Sequence, residues 1–171
     1  MANTYTLIAS STVGSGGAAT IDFTSIPATF TDLCLVISAR NSAGIVGSYI
    51  KFNSSTSGYS SIGLEGTGSG GGDSFSNSGG TDKAYVGVVN WSSSTSNTFT
   101  SYQIYIPSYT SSNYKSFSVD QVTENNATLS WATLVADLWS NTSAIDAISF
   151  FPASGTIQQH STAYLYGISN S

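Results

Sequence analysis

Apolar and polar residues alternate with a period of two along much of this chain. In residues 19–23, Ala19, Ile21 and Phe23 are apolar while Thr20 and Asp22 are polar, the pattern of a strand with one covered face. Residues 117–122 repeat it, with Phe117, Val119 and Gln121 set against Ser118, Asp120 and Val122. In residues 99–107, Tyr102, Ile104 and Ile106 share a face and Phe99 points the other way. Residues 33–39 (LCLVISA) are almost continuously apolar, which predicts a central strand covered on both sides.

Shorter β-rich runs predict further strands over 5–9, 49–52, 59–64, 84–91, 128–135, 145–151 and 163–168. Glycines 14, 16 and 17 mark a turn, and Pro27 ends the strand before it because it has no ladder donor. The runs 49–52 and 59–64 read as a hairpin over 53–58. Residues 129–139 are ambiguous: Trp131, Leu134 and Leu138 fit helical spacing, yet the same stretch also alternates. The reading taken is a strand over 128–135 and a helical turn over 136–140.

Residues 66–82 (GTGSGGGDSFSNSGGTD) contain one aromatic, Phe75, among Gly, Ser, Thr and Asn. Such backbone is costly to order, so a long mobile surface loop is expected. The strands lie 8–15 residues apart with no long helix between them. That spacing predicts an all-β fold, a single antiparallel β-sandwich domain over 1–171, jelly-roll-like.

Composition narrows the function classes. Only 9 acidic and 4 basic residues are present, 8% of the chain, with a net charge of −5, against about 25% charged residues in ordinary domains. Polarity comes instead from 34 serines, 20 threonines and 11 asparagines. Four scattered cations cannot track a phosphate backbone, so no nucleic-acid partner is expected. A content of 40% hydrophobic and 12% aromatic residues argues against disorder. No apolar run is long enough for a membrane span, and no basic-then-apolar leader is visible. The single cysteine, Cys34, allows no internal disulfide. Inside its apolar run it reads as a small core residue, consistent with folding in a reducing cytosol.

Candidate chemistry is sparse. His160 is the only histidine and has no hydrolase elbow near it; it reads as a polar residue opening the last strand. Gly66, Gly68 and Gly71 match a dinucleotide fingerprint, but no helix follows to hold a phosphate. Asp73, Asn77 and Asp82 could offer oxygens to calcium, yet their spacing fits no calcium loop. The acidic residues are spread singly and are expected to face solvent. No catalytic residue, cofactor or metal is therefore assigned, and the chain is not expected to be an enzyme. Four N-x-S/T matches, at Asn53, Asn90, Asn126 and Asn141, are expected by chance at this Ser and Thr content. The aromatics are the best binding candidates, since Tyr and Trp join an apolar body to a polar tip. Trp91 ends a strand beside 92–97, and Tyr105, Tyr109 and Tyr114 cluster around 107–113. These four are the expected ligand or partner contacts. Arg40, the only arginine, is expected to pair with Asp32 or to make a subunit contact.

Ile21, Phe23, Ile26-Pro27, Asp32-Leu33, Ser38 and Arg40 near the start, with Leu165-Tyr166-Gly167-Ile168 near the end, resemble a family of small β-rich virion proteins of tailed bacteriophages, including marine and cyanophage types. The resemblance implies a structural component of the particle surface, made in the host bacterial cytoplasm, and no catalytic residues. It leaves two positions open. The first is a capsid decoration, or cement, protein on the outside of the head shell, partnered by the major capsid protein or other virion proteins. It is expected to be a homo-oligomer, with a trimer as the working state. A short chain that starts directly in a strand and shows no fibre shaft favours it. The alternative is a tail-fibre or receptor-binding tip that recognises host-surface glycan.

Overall fold

The computed structural model describes residues 4–126 and 129–169. Twelve strands follow one another: β1 (Tyr5–Thr12), β2 (Ile21–Phe23), β3 (Asp32–Ala39), β4 (Val46–Phe52), β5 (Tyr59–Thr67), β6 (Gly72–Thr81), β7 (Ala84–Val89), β8 (Thr100–Ile106), β9 (Lys115–Thr123), β10 (Trp131–Trp139), β11 (Ile148–Pro152) and β12 (Thr162–Ile168). They form an eight-stranded sheet in the order β1-β12-β3-β8-β9-β10-β5-β6 and a four-stranded sheet in the order β2-β11-β4-β7. All the ladders are antiparallel. The expected all-β antiparallel sandwich is the architecture of the chain, and its strand order is compatible with a jelly roll.

The period-two pattern becomes the two faces of the larger sheet. Burial alternates without a break along β8 and β9, because each strand turns one side to the four-stranded sheet and the other outward. Leu33, Leu35 and Ile37 of β3, Tyr102, Ile104 and Ile106 of β8, and Val135 and Trp139 of β10 meet Ile50, Phe52, Val86 and Phe150 of the smaller sheet in one buried cluster. Phe52 is its aromatic centre, with ring centroids 5.1 Å from Phe117, 5.5 Å from Trp139 and 6.2 Å from Tyr59.

Uncharged hydrogen bonds also tie the sheets together. The Ser48 hydroxyl of β4 meets the Tyr102 hydroxyl of β8 at 2.9 Å. Gln121 and Thr123 of β9 both donate to the Val88 carbonyl of β7, at 3.0 and 2.9 Å. The Ser61 hydroxyl of β5 accepts the Tyr85 N–H of β7. These hydroxyls thus find the partners that polar groups inside a core require, whereas the buried Thr133 hydroxyl of β10 has none among the described residues.

Three expectations change. Residues 66–82 are mostly ordered: β6 pairs with β5 from Gly66↔Gly72 to Tyr59↔Thr81. The chain reverses between them, where the Gly70 N–H bonds the Thr67 carbonyl at 3.0 Å and Gly70 takes a φ of +86°. Backbone pairing supplies the order that the side chains do not. Residues 49–52 and 59–64 form no hairpin, because β4 lies in the small sheet and β5 in the large one. Tyr59 fixes this crossing: its hydroxyl accepts the Phe52 N–H at 2.7 Å. The expected helical turn at 136–140 is strand, since β10 runs on to Trp139 with Asp137 and Trp139 facing inward. The expected first residue of that strand, Thr128, lies outside the described residues, and the strand expected from Ile145 begins at Ile148.

Tyr59→Phe keeps the ring and leaves the buried Phe52 N–H without its partner. It is expected to lower the unfolding free energy by about 1–3 kcal/mol, read from urea denaturation; an unchanged midpoint would show that the hydroxyl does not hold the crossing.

Candidate functional site

Arg40 follows β3, and its guanidinium is held without a carboxylate. Nη1 donates to the carbonyls of Thr95 and Thr98, each at 2.9 Å, and Nη2 to those of Ser92 and Ser94, at 3.2 and 2.9 Å. The expected pairing with Asp32 is absent. Asp32 instead accepts the Tyr105 hydroxyl and the Ser108 N–H, each at 2.8 Å. Burial lowers the Arg40 pKa, yet guanidinium stays charged at any working pH. Arg40 therefore acts as the knot of loop 92–98. It also lines a polar recess of about 510 Å³ with Asn97, Gln158 and His160. His160 is exposed, with a φ of +72°, and its N–H bonds the Val13 carbonyl just before β12.

The four aromatic candidates separate. Trp91 is only 6% exposed and packs edge-on against Trp131 at 5.6 Å. Tyr109 is fully buried, with its hydroxyl bonded to the Pro27 carbonyl. Neither ring is offered to a ligand: Trp91 is buried against Trp131, and the Pro27 bond holds Tyr109 inward. Tyr105 and Tyr114 remain exposed. Cys34 is buried, and burial pushes its thiol pKa up. Asp73 and Asn77 stand on β6, while Asp82 is bound by Lys51 and Lys83, each at 3.3 Å. Among the described residues no group of three or more His, Cys, Asp or Glu is placed to hold a metal.

Tyr105 belongs to a larger feature that single-strand reading misses. Cross-strand register aligns Leu7, Tyr166, Cys34, Tyr105, Ser118, Ala136, Ile62 and Ser76 in one row across all eight strands. The next row includes Gln103, Asp120, Leu134, Leu64 and Ser74. These side chains point away from the smaller sheet. Ile62, Leu64 and Leu134 are 61%, 63% and 59% exposed, and Val122 lies beside Ala132 in the following row. Along the eight strands Asp120 is the one exposed charge on this face among the described residues. A broad, nearly uncharged surface with adjoining aliphatic side chains has the make-up of a contact surface.

Comparison of the chain with protein-family models, with curated proteins and with solved structures finds no match.

Two acidic side chains depart from the expected exposure: Asp32 and Asp137 are buried. Asp137 faces inward from β10. Its Oδ1 accepts the Ser61 hydroxyl, its Oδ2 has no partner among the described residues, and desolvation pushes its pKa up to about 7. The folded state thus holds this proton up to about pH 7, while the unfolded chain releases it near 3.8. The stability it supports is complete below pH 3.8 and lost as pH rises through 7. Asp137→Asn is expected to raise the melting temperature at pH 8 and to flatten its dependence between about pH 4 and 7. Thermal denaturation across that range reads it out, and an unchanged slope would remove Asp137 as its source.

Proposed function

We propose that this chain is a structural protein of a tailed-phage virion, a decoration protein seated on the head shell through the outer face of its eight-stranded sheet. The observation that carries the reading is the run of exposed aliphatic side chains Ile62, Leu64, Leu134 and Val122 on a face with one exposed charge. A free protein seldom keeps such a surface bare. The terminal sequence patterns, which resemble small phage virion proteins, supply the kind of particle. The mechanism is mechanical: interface area spread over neighbouring shell subunits adds to the work needed to separate them. Contacts between copies in the expected trimer fall to the β1 edge, where Tyr5 and Leu7 are exposed.

A tail-tip module for host-surface carbohydrate is the second reading. The observation that favours it is the group of rings Tyr49, Phe75 and Tyr85 at one end of the sandwich.

Immunogold labelling of virions with antibody against this chain is expected to mark the head; label confined to tail tips would overturn the decoration reading. Leu64→Ser combined with Leu134→Ser changes only exposed positions and sets no like charges opposite each other or Asp120, so stability should move by no more than about 0.5 kcal/mol per site. Occupancy on purified heads, measured by quantitative gel analysis, should fall at least several-fold. Full occupancy by the double variant would mean that another face makes the contact.

A further inference from the structure

The two sheets differ in width, and the mismatch leaves a built cleft at one end. β7, the edge of the small sheet, packs against β9, β10 and β5. β6 is the edge of the large sheet beyond β5, so its inward side chains reach past the strand that covers its neighbours. Phe75 of β6 lies over Gly63 of β5, where a Cβ would fall 2.3 Å from the ring. Phe75 meets Tyr85 of β7 at 5.1 Å and 90°, and Tyr85 meets Tyr49 of β4 at 5.9 Å. A Cβ at Gly47 would stand 2.8 Å from the Tyr85 ring. Two glycines thus make room for two of the rings.

A recess of about 270 Å³ opens between Tyr49, Phe75 and Tyr85, with Glu65 and Asn77 on its lining. That is just under the roughly 300–1,000 Å³ of pockets for drug-sized ligands, enough for one ring at a time. The side-chain polar atoms of Glu65 and Asn77, and the hydroxyls of Tyr49 and Tyr85, have no hydrogen-bond partner among the described residues. Burial, then the nearby Glu65 charge, raises the Tyr85 pKa, so its hydroxyl stays a neutral donor. Lys83 sits 4.8 Å over the Tyr49 ring, but it and Lys51 are both paired with Asp82. The recess lining therefore combines aromatic rings, an anionic acceptor, an amide and neutral hydroxyls, and carries no cation, while Lys51 and Lys83 share the one Asp82 carboxylate beside it.

We propose that the cleft formed by Tyr49, Phe75, Tyr85, Glu65 and Asn77 binds a neutral pyranose ring of a glycan. A sugar's C–H face stacks on Phe75 and Tyr85, since Tyr49 is itself stacked on Phe151 at 6.1 Å, while its hydroxyls donate to Glu65 and exchange hydrogen bonds with Asn77. The Glu65 charge opposes carboxylated sugars. The cleft lies on the opposite side of β5 and β6 from Ile62 and Leu64, so sugar binding and seating on a shell are compatible. Sugar binding here rests on the carbohydrate-binding reading given to the same rings above, and needs no particular place for the chain in a particle.

The test is saturation-transfer NMR on the free chain with methyl glycosides of glucose, galactose, mannose and N-acetylglucosamine, and with methyl glucuronide as the acidic control. At least one neutral glycoside is expected to bind with a millimolar or tighter dissociation constant, and the glucuronide not to bind. Glu65→Gln and Asn77→Ala lie at the lining and leave the core intact; each should weaken binding about tenfold, the loss of one hydrogen bond to a charged or amide group. Leu64→Asp, on the other face, should leave binding unchanged. The proposal is overturned if no neutral glycoside binds at about 10 mM, if only the glucuronide binds, or if both lining variants bind like the parent. Because the measurement uses the free chain, a negative result leaves the assembly reading standing.

Discussion

Four strands cannot cover eight. The larger sheet buries one face against β2, β11, β4 and β7, and the rest of the molecule's surface chemistry follows from what that leaves over. The broad outer face carries Ile62, Leu64, Leu134 and Val122 without a second layer to cover them. The β5–β6 end extends beyond β7, and there Phe75 and Tyr85 close over glycines of the neighbouring strands, Gly63 of β5 and Gly47 of β4. One mismatch in width produces both an unpartnered sheet face and a lined cleft.

Scarcity of charge is the companion constraint. Two of the four basic residues are buried, and neither is neutralised by a carboxylate. Arg40 is caged by four backbone carbonyls, and the Lys115 ammonium donates to the carbonyls of Ser111 and Asn113 at 2.8 and 2.6 Å. Each cation ties down the loop that supplies its carbonyls. Across the sheet interface, Ser48–Tyr102 and Gln121–Val88 do the work that ion pairs do elsewhere. The abundance of Ser and Thr is thus partly an interior feature. Hydroxyls can satisfy one another in a β-sandwich at little desolvation cost, whereas a buried carboxylate with no cation beside it, such as Asp137, has its proton affinity raised.

Much of this fold is legible in the sequence where side chains alternate against a core. Strands β8 and β9 announce themselves because every second residue is buried. β6 does not, since its Gly, Ser and Asn residues carry no β signal and its order comes from backbone pairing with β5. The stretch from Tyr49 to Leu64 has the spacing of a hairpin; only the long-range strand pairings put its two halves in different sheets, and the bond from the Phe52 N–H to the Tyr59 hydroxyl spans the crossing. Leu134 and Leu138 mimic a helical stripe because the inward positions between and beside them include the acid Asp137. Loop-side placement points to Trp91 and Tyr109 as accessible, but Trp91 packs against Trp131 of a distant strand and the bond to Pro27 holds Tyr109 inward. The exposed aliphatic face was invisible for a different reason. Its members come from strands far apart in sequence and meet only once the register is known.

The central claim is that the outer face of the eight-stranded sheet is covered in the assembled particle. Hydroxyl-radical footprinting of intact virions against the free chain measures this side chain by side chain. The account predicts that Ile62, Leu64 and Leu134 are protected in the virion, while Tyr49 and Phe75 in the cleft stay as reactive as in the free chain. Equal labelling of the three aliphatic residues in both states would contradict it.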